Sequence, residues 1–165
     1  APSAAAPAAA RAGDGASITG ARAGGQRGSA ADPASREAGG RVLLVSSIDG
    51  AHPGDNVIDG SETTYWLSTG LYPQEILVEL GRPSRVSGVR LSATNVRRVS
   101  IEGCSEHAAV QFETLAADEM EAAAGCMQRK ELRCREQAAP TRFVKTKILS
   151  GWDDFCSVHR IVVVE

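Results

Sequence analysis

The chain carries the sequence NVIDGSETTYW at residues 56–66. This stretch combines several oxygen-bearing side chains with a glycine and ends in a large aromatic residue. Gly60 follows the carboxylate of Asp59 and allows the backbone to bend sharply, because glycine has no Cβ to restrict φ. Trp66 is expected to bury its indole in a core, where large aromatic side chains contribute much of the buried area. The stretch therefore predicts a tight, ordered loop that delivers Trp66 to the interior.

Two interpretations of this loop follow from the residues alone. Calcium takes about six to eight oxygen ligands from carboxylate, amide, hydroxyl and carbonyl groups, and Asn56, Asp59 and Thr64 supply three such side chains. Alternatively, Asp59 accepts a hydrogen bond from its own downstream backbone in an ordinary Asx turn. A single carboxylate is little charge for a divalent ion. The sequence by itself leaves both interpretations open.

Short apolar runs separated by turn residues continue through the rest of the chain. Ile76, Val78 and Leu80 alternate along one run, which ends at Gly81 and Pro83; this period is typical of a strand with one buried face. Further short runs lie at residues 42–45, 86–91, 96–101, 110–115, 128–134, 143–149 and 158–164. About eight short strands without a long amphipathic helix predict an all-β, antiparallel β-sandwich over residues 41–165.

One segment has helical composition. Residues 116–127 begin with AADEME, whose members favour helix by intrinsic propensity, and Gly125 limits its length. The sequence predicts a short helical excursion between two strands at this place.

Residues 1–40 differ in composition from the rest of the chain. They are dominated by Ala, Gly, Ser, Pro and Arg, contain no aromatic residue, and have Ile18 as their one large aliphatic side chain. Such a segment cannot offset its ordering entropy by burial. We predict a low-complexity, disordered extension of which residues 1 to about 38 can be deleted without loss of folding. A transit peptide is the less favoured interpretation, because acidic residues interrupt the segment.

The bulk properties exclude several classes of protein. The formal net charge is −2 and no basic stripe is present, which disfavours nucleic-acid binding. No apolar run approaches the length of a membrane-spanning helix. The four cysteines, Cys104, Cys126, Cys134 and Cys156, form no C-x-x-C pair and are expected to be reduced thiols. The sequence predicts a soluble, intracellular protein.

No constellation in the sequence indicates catalysis. His52, His107 and His159 are far apart and lie in no metal-ligand spacing, and they are interpreted as surface or packing residues. The adjacent Asp153 and Asp154 are interpreted as an exposed turn and not as an acid–base pair. The sequence therefore predicts that the protein is not an enzyme.

From Leu43 onward the order of signals resembles the discoidin family, the galactose-binding-like jelly roll that also forms the type C domains of coagulation factors. The resemblance rests on four strings: VSS at 45–47, NVIDG at 56–60, TYW at 64–66 and QEILVELG at 74–81. Further strings are similar to a ciliary-transport branch of that family: HP at 52–53, TGLYPQE at 69–75 and FCSVH at 155–159. In extracellular discoidin domains a disulfide usually ties the first strand to the last, and this chain has no cysteine at either place.

The resemblance implies a function. Members of this branch are non-catalytic subunits of the intraflagellar transport B complex, with a Rab-like small GTPase as constant partner and a calcium ion bound in the first loop. Carried over to this sequence, the side chains that hold the ion are Asn56, Asp59 and Thr64. The resemblance also implies a place in the cilium or flagellum and in the cytoplasm around the basal body.

A second function remains open: a glycan- or lipid-binding discoidin module. Such relatives grip a ligand with aromatic side chains on loops at one rim, and Leu71, Tyr72 and Trp152 are the candidates here. Tyr72 and Trp152 are instead interpreted as core residues, since isolated aromatics more often fill a small core. Arg97 and Arg98, adjacent on a predicted strand, are candidates for contact with an acidic partner.

Overall fold

The computed structural model describes residues 31–165, which form nine β-strands and two short 3₁₀ helices. The strands are β1 (Arg41–Val45), β2 (Trp66–Leu67), β3 (Gln74–Ser84), β4 (Gly88–Thr94), β5 (Val96–Cys104), β6 (Glu113–Glu119), β7 (Gln128–Arg133), β8 (Thr141–Gly151) and β9 (Ser157–Val164). The 3₁₀ helices are η1 (Arg36–Ala38) and η2 (Gly54–Ile58). Within the described part of the chain, no helix is long and apolar enough to cross a membrane.

The strands form two antiparallel sheets that pack face to face. The five-stranded sheet has the order β1-β3-β8-β5-β6, and the four-stranded sheet has the order β2-β9-β4-β7. Consecutive strands often belong to different sheets, so the chain passes repeatedly from one sheet to the other. This arrangement confirms the predicted antiparallel β-sandwich.

The core lies between the sheets and follows the alternation read from the sequence. In β3, Ile76 and Val78 are buried while Glu75 and Leu77 are only partly covered. In β9, Ile161 and Val163 are buried, and Val162 and Val164 lie on the partly exposed outer face. Strand alternation therefore assigns the buried face of β3 correctly.

The predicted helix at residues 116–127 is wrong. Residues up to Glu119 belong to β6, in which Ala116 lies opposite Ile101 and Ala117 opposite Ser100, and the following residues form a loop. Leu115 and Met120 are buried. Pairing with β5 and the burial of these two side chains outweigh an intrinsic helix preference that amounts to only tenths of a kcal/mol per residue.

The folded unit begins before Arg41, which corrects the predicted boundary for residues 32–40. Ala34 is fully buried in the core. The Asp32 carboxylate accepts hydrogen bonds from the backbone amides of Val163 (2.9 Å) and Ala34 (3.0 Å), and the Pro33 carbonyl accepts one from Gly81 (2.8 Å). This docked segment needs few apolar residues because backbone hydrogen bonds hold it. The rest of the predicted extension, residues 1–30, lies outside the described residues.

All four cysteines are free: Cys104 and Cys156 are buried, Cys134 is half-buried and Cys126 is exposed. Burial raises the pKa of the Cys134 thiol to about 11. A thiol with a raised pKa carries little thiolate at neutral pH, so Cys134 is expected to be unreactive.

Candidate functional site

The loop of residues 56–66 is anchored at both ends by buried side chains. At its start, Val57 and Ile58 of η2 are buried against the core. At its end, Trp66 is fully buried and its indole Nε1 donates a hydrogen bond to the Ser47 carbonyl at 2.9 Å. The prediction that the loop delivers Trp66 to the core is confirmed. With both ends fixed, the segment between them holds a defined shape.

The three predicted ligand residues lie in the loop of residues 56–66, and two of them are in contact. The Thr64 hydroxyl donates a hydrogen bond to Asp59 Oδ2 at 2.6 Å, so a carboxylate and a hydroxyl oxygen converge. Asn56 lies at the base of the loop, where its amide nitrogen donates to the Tyr65 carbonyl at 2.9 Å. Its side-chain oxygen is not used in that bond.

The Asx-turn interpretation also describes what the structure contains. Asp59 Oδ1 accepts a hydrogen bond from the Ser61 amide at 2.8 Å, the bond that defines such a turn. Gly60 has φ of +85°, a left-handed conformation that glycine adopts without a steric penalty. Ser61 Oγ extends the turn by accepting from the Thr63 amide at 3.1 Å. The turn exists, and the Asp59 carboxylate is the group around which it forms.

The chemistry of the donor set fits a hard cation such as calcium. One carboxylate, one hydroxyl and one amide oxygen are all ligand types that calcium prefers, and backbone carbonyls of the loop supply further oxygens of the same kind. No group of three or more His, Cys, Asp or Glu side chains able to hold a metal occurs among residues 31–165. An ion at this loop would therefore depend on Asp59 for its charge and on neutral oxygens for the rest.

Glu62 is a site residue that sequence reasoning missed. Its carboxylate accepts hydrogen bonds from Ser92 (2.6 Å) in β4 and Arg129 (2.7 Å) in β7. The Arg129 guanidinium, with help from Ser92, lowers the pKa of the Glu62 carboxyl to about 2. Glu62 therefore ties the exposed half of the loop to the outer face of the four-stranded sheet. The contacts join Glu62 to residues 30 and 67 positions away in sequence, so no local sequence pattern predicts them.

Tyr65 joins the loop to two of the three histidines. Its ring stacks on His52 at a centroid distance of 4.2 Å and lies tilted against His159 at 5.0 Å. The His159 imidazole also bridges the Glu62 carbonyl (2.8 Å) and the Ser157 hydroxyl (2.9 Å). These contacts support the interpretation of His52 and His159 as packing residues.

The other candidate aromatics divide between core and surface. Tyr72 packs partly against the core, and its hydroxyl donates to the Asp153 carbonyl at 3.0 Å. Trp152 is 43% exposed, so its assignment to the core is wrong. Its Nε1 donates to the Met120 carbonyl at 2.9 Å, and the Arg97 guanidinium lies 4.6 Å from the ring centroid. Arg97 also pairs with Glu119 at 3.0 Å.

Comparison with known proteins places this fold and loop in a family. Residues 44–161 match the model of the F5/8 type C domain. The chain is 32% identical over 133 residues to intraflagellar transport protein 25 of Chlamydomonas reinhardtii, covering 81% of this chain and 69% of that protein. It is 31% identical over 123 residues to the Mus musculus homolog, covering 74% of this chain and 85% of the relative.

Solved structures agree on the fold. The family 32 carbohydrate-binding module of C. perfringens NanJ, solved with galactose, superposes with a TM-score of 0.63 at 18% identity, covering 75% of this chain and 92% of the module. At that identity the likeness concerns the fold alone. The chain belongs to the F5/8 type C domain family, in the branch that includes these intraflagellar transport protein 25 sequences. The discoidin resemblance is thereby confirmed.

Proposed function

We propose that the protein is a non-catalytic subunit of the intraflagellar transport B complex, working at the cilium or flagellum as a heterodimer with a Rab-like small GTPase. The observation that carries the proposal is the similarity to two intraflagellar transport protein 25 sequences along most of the chain. The fold supports the proposal. The polar side chains of the loop at residues 56–66 hold the loop in shape, which leaves the outer surface of the sandwich for binding another protein.

Exposed apolar side chains supply further support for a protein partner. Leu43 and Leu44 on the edge strand β1 are each about half exposed, and Ile48 is 85% exposed. Stable heterodimers bury roughly 1,200 to 2,000 Å² in total, with apolar residues at the centre of the interface. A chain that functions with a partner can keep such side chains at its surface, whereas on a monomer they favour aggregation.

Co-expression with the GTPase tests the heterodimer. We expect the two proteins to co-elute in size-exclusion chromatography at one-to-one stoichiometry with either GDP or a GTP analogue. Excess chelator should leave the complex intact, because the loop at residues 56–66 organises the fold and need not touch the partner. The purified protein alone should hydrolyse neither nucleotide nor ester substrates. Separate elution under every condition, with both proteins shown to be folded, would contradict the heterodimer.

We further propose that a calcium ion binds structurally to Asn56, Asp59 and Thr64. An ion that binds only the folded state stabilises it by about 2.7 kcal/mol when its concentration is a hundred times Kd. Chelator should therefore lower the melting temperature of the wild-type protein. Asp59→Asn should abolish this response while keeping the turn, since an amide oxygen still accepts the Ser61 hydrogen bond.

Asp55→Asn is the matched control for this measurement. Asp55 is an exposed acid in η2, directly before the loop of residues 56–66. It lies outside the proposed ligand set, so its variant should respond to chelator as the wild type does. If wild type, Asp59→Asn and Asp55→Asn all respond alike, the ion is not held by Asp59 and the loop is an Asx turn without calcium.

A glycan-binding module is the alternative, favoured by the half-exposed Trp152 and by the galactose-bound structural neighbour. Stacking on a sugar requires an open aromatic face. One face of Trp152 is covered by Arg97, and the indole nitrogen already donates to Met120. These contacts make Trp152 a poor sugar platform. Retention of the purified protein on a galactose resin, lost in Trp152→Ala, would favour the alternative over the transport subunit.

A further inference from the structure

Two loops at one end of the sandwich are held rigidly together. The Ser68 amide donates to the Cys156 carbonyl at 3.0 Å, and the Cys156 amide donates to Ser68 Oγ at 2.9 Å. The Tyr72 hydroxyl donates to the Asp153 carbonyl at 3.0 Å, and it lies so near Gly151 that a Cβ there would be 1.9 Å away. The backbones of residues 68–73 and 151–156 are therefore held next to each other.

Although these loops are fixed, they leave large apolar side chains in solvent. Leu71 is 85% exposed, Phe155 54% and Trp152 43%. We call Leu71, Trp152, Asp153, Asp154 and Phe155 the rim patch. Large apolar side chains left exposed on two loops that are hydrogen-bonded to each other are typical of a binding surface.

The rim patch is also acidic. Asp153 and Asp154 are exposed, and within residues 31–165 neither carboxylate forms an ion pair. Carboxylates on the outer face of the five-stranded sheet differ, since Glu75, Glu79 and Glu102 each pair with a Lys or Arg. Among residues 31–165, Arg97 lies over Trp152 and pairs with Glu119, and the exposed Arg98 lies opposite Ser150 of β8. The patch therefore presents two carboxylates that form no ion pair within residues 31–165, beside exposed apolar side chains.

We infer that the rim patch docks a basic segment of a partner protein, one that carries apolar side chains between its Lys or Arg residues. Charge complementarity selects this occupant: apolar side chains cover Leu71 and Phe155 while cations meet Asp153 and Asp154. An anionic membrane is disfavoured, because the two carboxylates would be repelled by acidic head groups. The inference concerns the isolated chain and does not depend on the GTPase partner.

Binding of a synthetic probe tests the inference. The probe is a fluorescent peptide of lysine and leucine residues, compared by anisotropy with a glutamate and leucine peptide of the same length. We expect the lysine peptide to bind the full chain and to weaken as salt rises, and the glutamate peptide not to bind. Asp153→Asn with Asp154→Asn should raise Kd about tenfold, equivalent to about 1.4 kcal/mol, and should flatten the salt dependence. Phe155→Ser should also weaken binding.

Matched controls come from the opposite end of the sandwich. Val110 is 68% exposed and lies in the connection between β5 and β6, which begins after Cys104 at the end of β5. The rim patch lies instead at the start of β5, where Val96 pairs with Gly151. Val110→Ser and Glu106→Gln should leave probe binding unchanged. The double Asn variant should fold normally, because an amide oxygen at residue 153 still accepts the Asp154 amide. Equal binding of both peptides, an unchanged Kd in the double variant, or preferential binding to phosphatidylserine vesicles would each overturn the inference.

Discussion

Replacing Trp66 with alanine is expected to lower the free energy of unfolding by about 3 to 5 kcal/mol, the range observed for truncating a large aromatic residue in a packed core. The indole is fully buried in the core, and the backbone of Trp66 pairs with Val158 of β9. Its removal leaves a cavity and deprives the Ser47 carbonyl of the hydrogen bond from Nε1. Urea denaturation followed by circular dichroism measures the loss. Trp66→Phe should cost less, since it keeps most of the ring volume and loses mainly the hydrogen bond.

The second tryptophan provides the control for this experiment. Trp152 is 43% exposed and makes one hydrogen bond, to the Met120 carbonyl, so Trp152→Ala should cost about 1 kcal/mol. Because the chain contains 2 tryptophans, each alanine variant also leaves a single tryptophan, whose fluorescence reports on its own environment. Similar losses of stability for the two alanine variants would contradict the assignment of Trp66 as the core anchor.

Elements defined by side-chain periodicity were predictable from the sequence. Alternation along residues 76–80 identifies the buried face of β3, and the loop ending in Trp66 has a turn residue, Gly60, six positions before its anchor. Both are local patterns whose physical cause lies within a few residues. The type of the strands and eight of the nine follow from the same reasoning, since each apolar run is bounded by turn residues. The two-residue strand β2 (Trp66–Leu67) was not predicted.

Features that depend on distant contacts were not predictable. β6 has helical composition, yet it becomes a strand because β5 offers it an edge with which to pair. In the sequence nothing distinguishes Glu62 from an ordinary surface glutamate, because its contacts with Ser92 and Arg129 form only in the folded structure. At the candidate site, sequence reasoning brings Asp59 and Thr64 together correctly, but the support given by Glu62 and Tyr65 emerges only from the tertiary structure.

The segment before β1 illustrates the same limit and leads to the last large prediction. Its composition suggested that it could be removed, because it has too little apolar surface to dock. In the structure, hydrogen bonds hold the segment without a large apolar surface. The Asp32 carboxylate accepts from the Val163 amide, the Pro33 carbonyl accepts from the Gly81 amide, and Ala34 is buried in the core. Gly40 and Gly81 permit the close approach, since a Cβ at either position would lie 2.0 Å or less from a backbone oxygen.

A chain that starts at residue 41 is therefore expected to be less stable than one that starts at residue 31 by about 2 to 4 kcal/mol. This range follows from about 1.5 to 3 kcal/mol for hydrogen bonds to a charged group and a smaller contribution from burying Ala34. Thermal melting of the two proteins measures the difference. Equal melting temperatures would restore the interpretation of the whole segment as a dispensable extension.

Point variants at Asp32 separate the hydrogen bonds from the charge. Burial raises the pKa of the Asp32 carboxyl, although the amides of Val163 and Ala34 and the charge of Arg160 oppose the shift. The folded state therefore holds this proton more tightly than the unfolded state, so stability should fall as pH rises from the ordinary carboxyl pKa through the raised folded value. Asp32→Asn keeps an acceptor oxygen and removes the ionisation, and it should flatten this part of the pH profile at little cost in stability. Asp32→Ala loses the acceptor and should reproduce much of the effect of deletion. If the two variants are equally destabilised, the negative charge and not the acceptor oxygen holds the segment against β9.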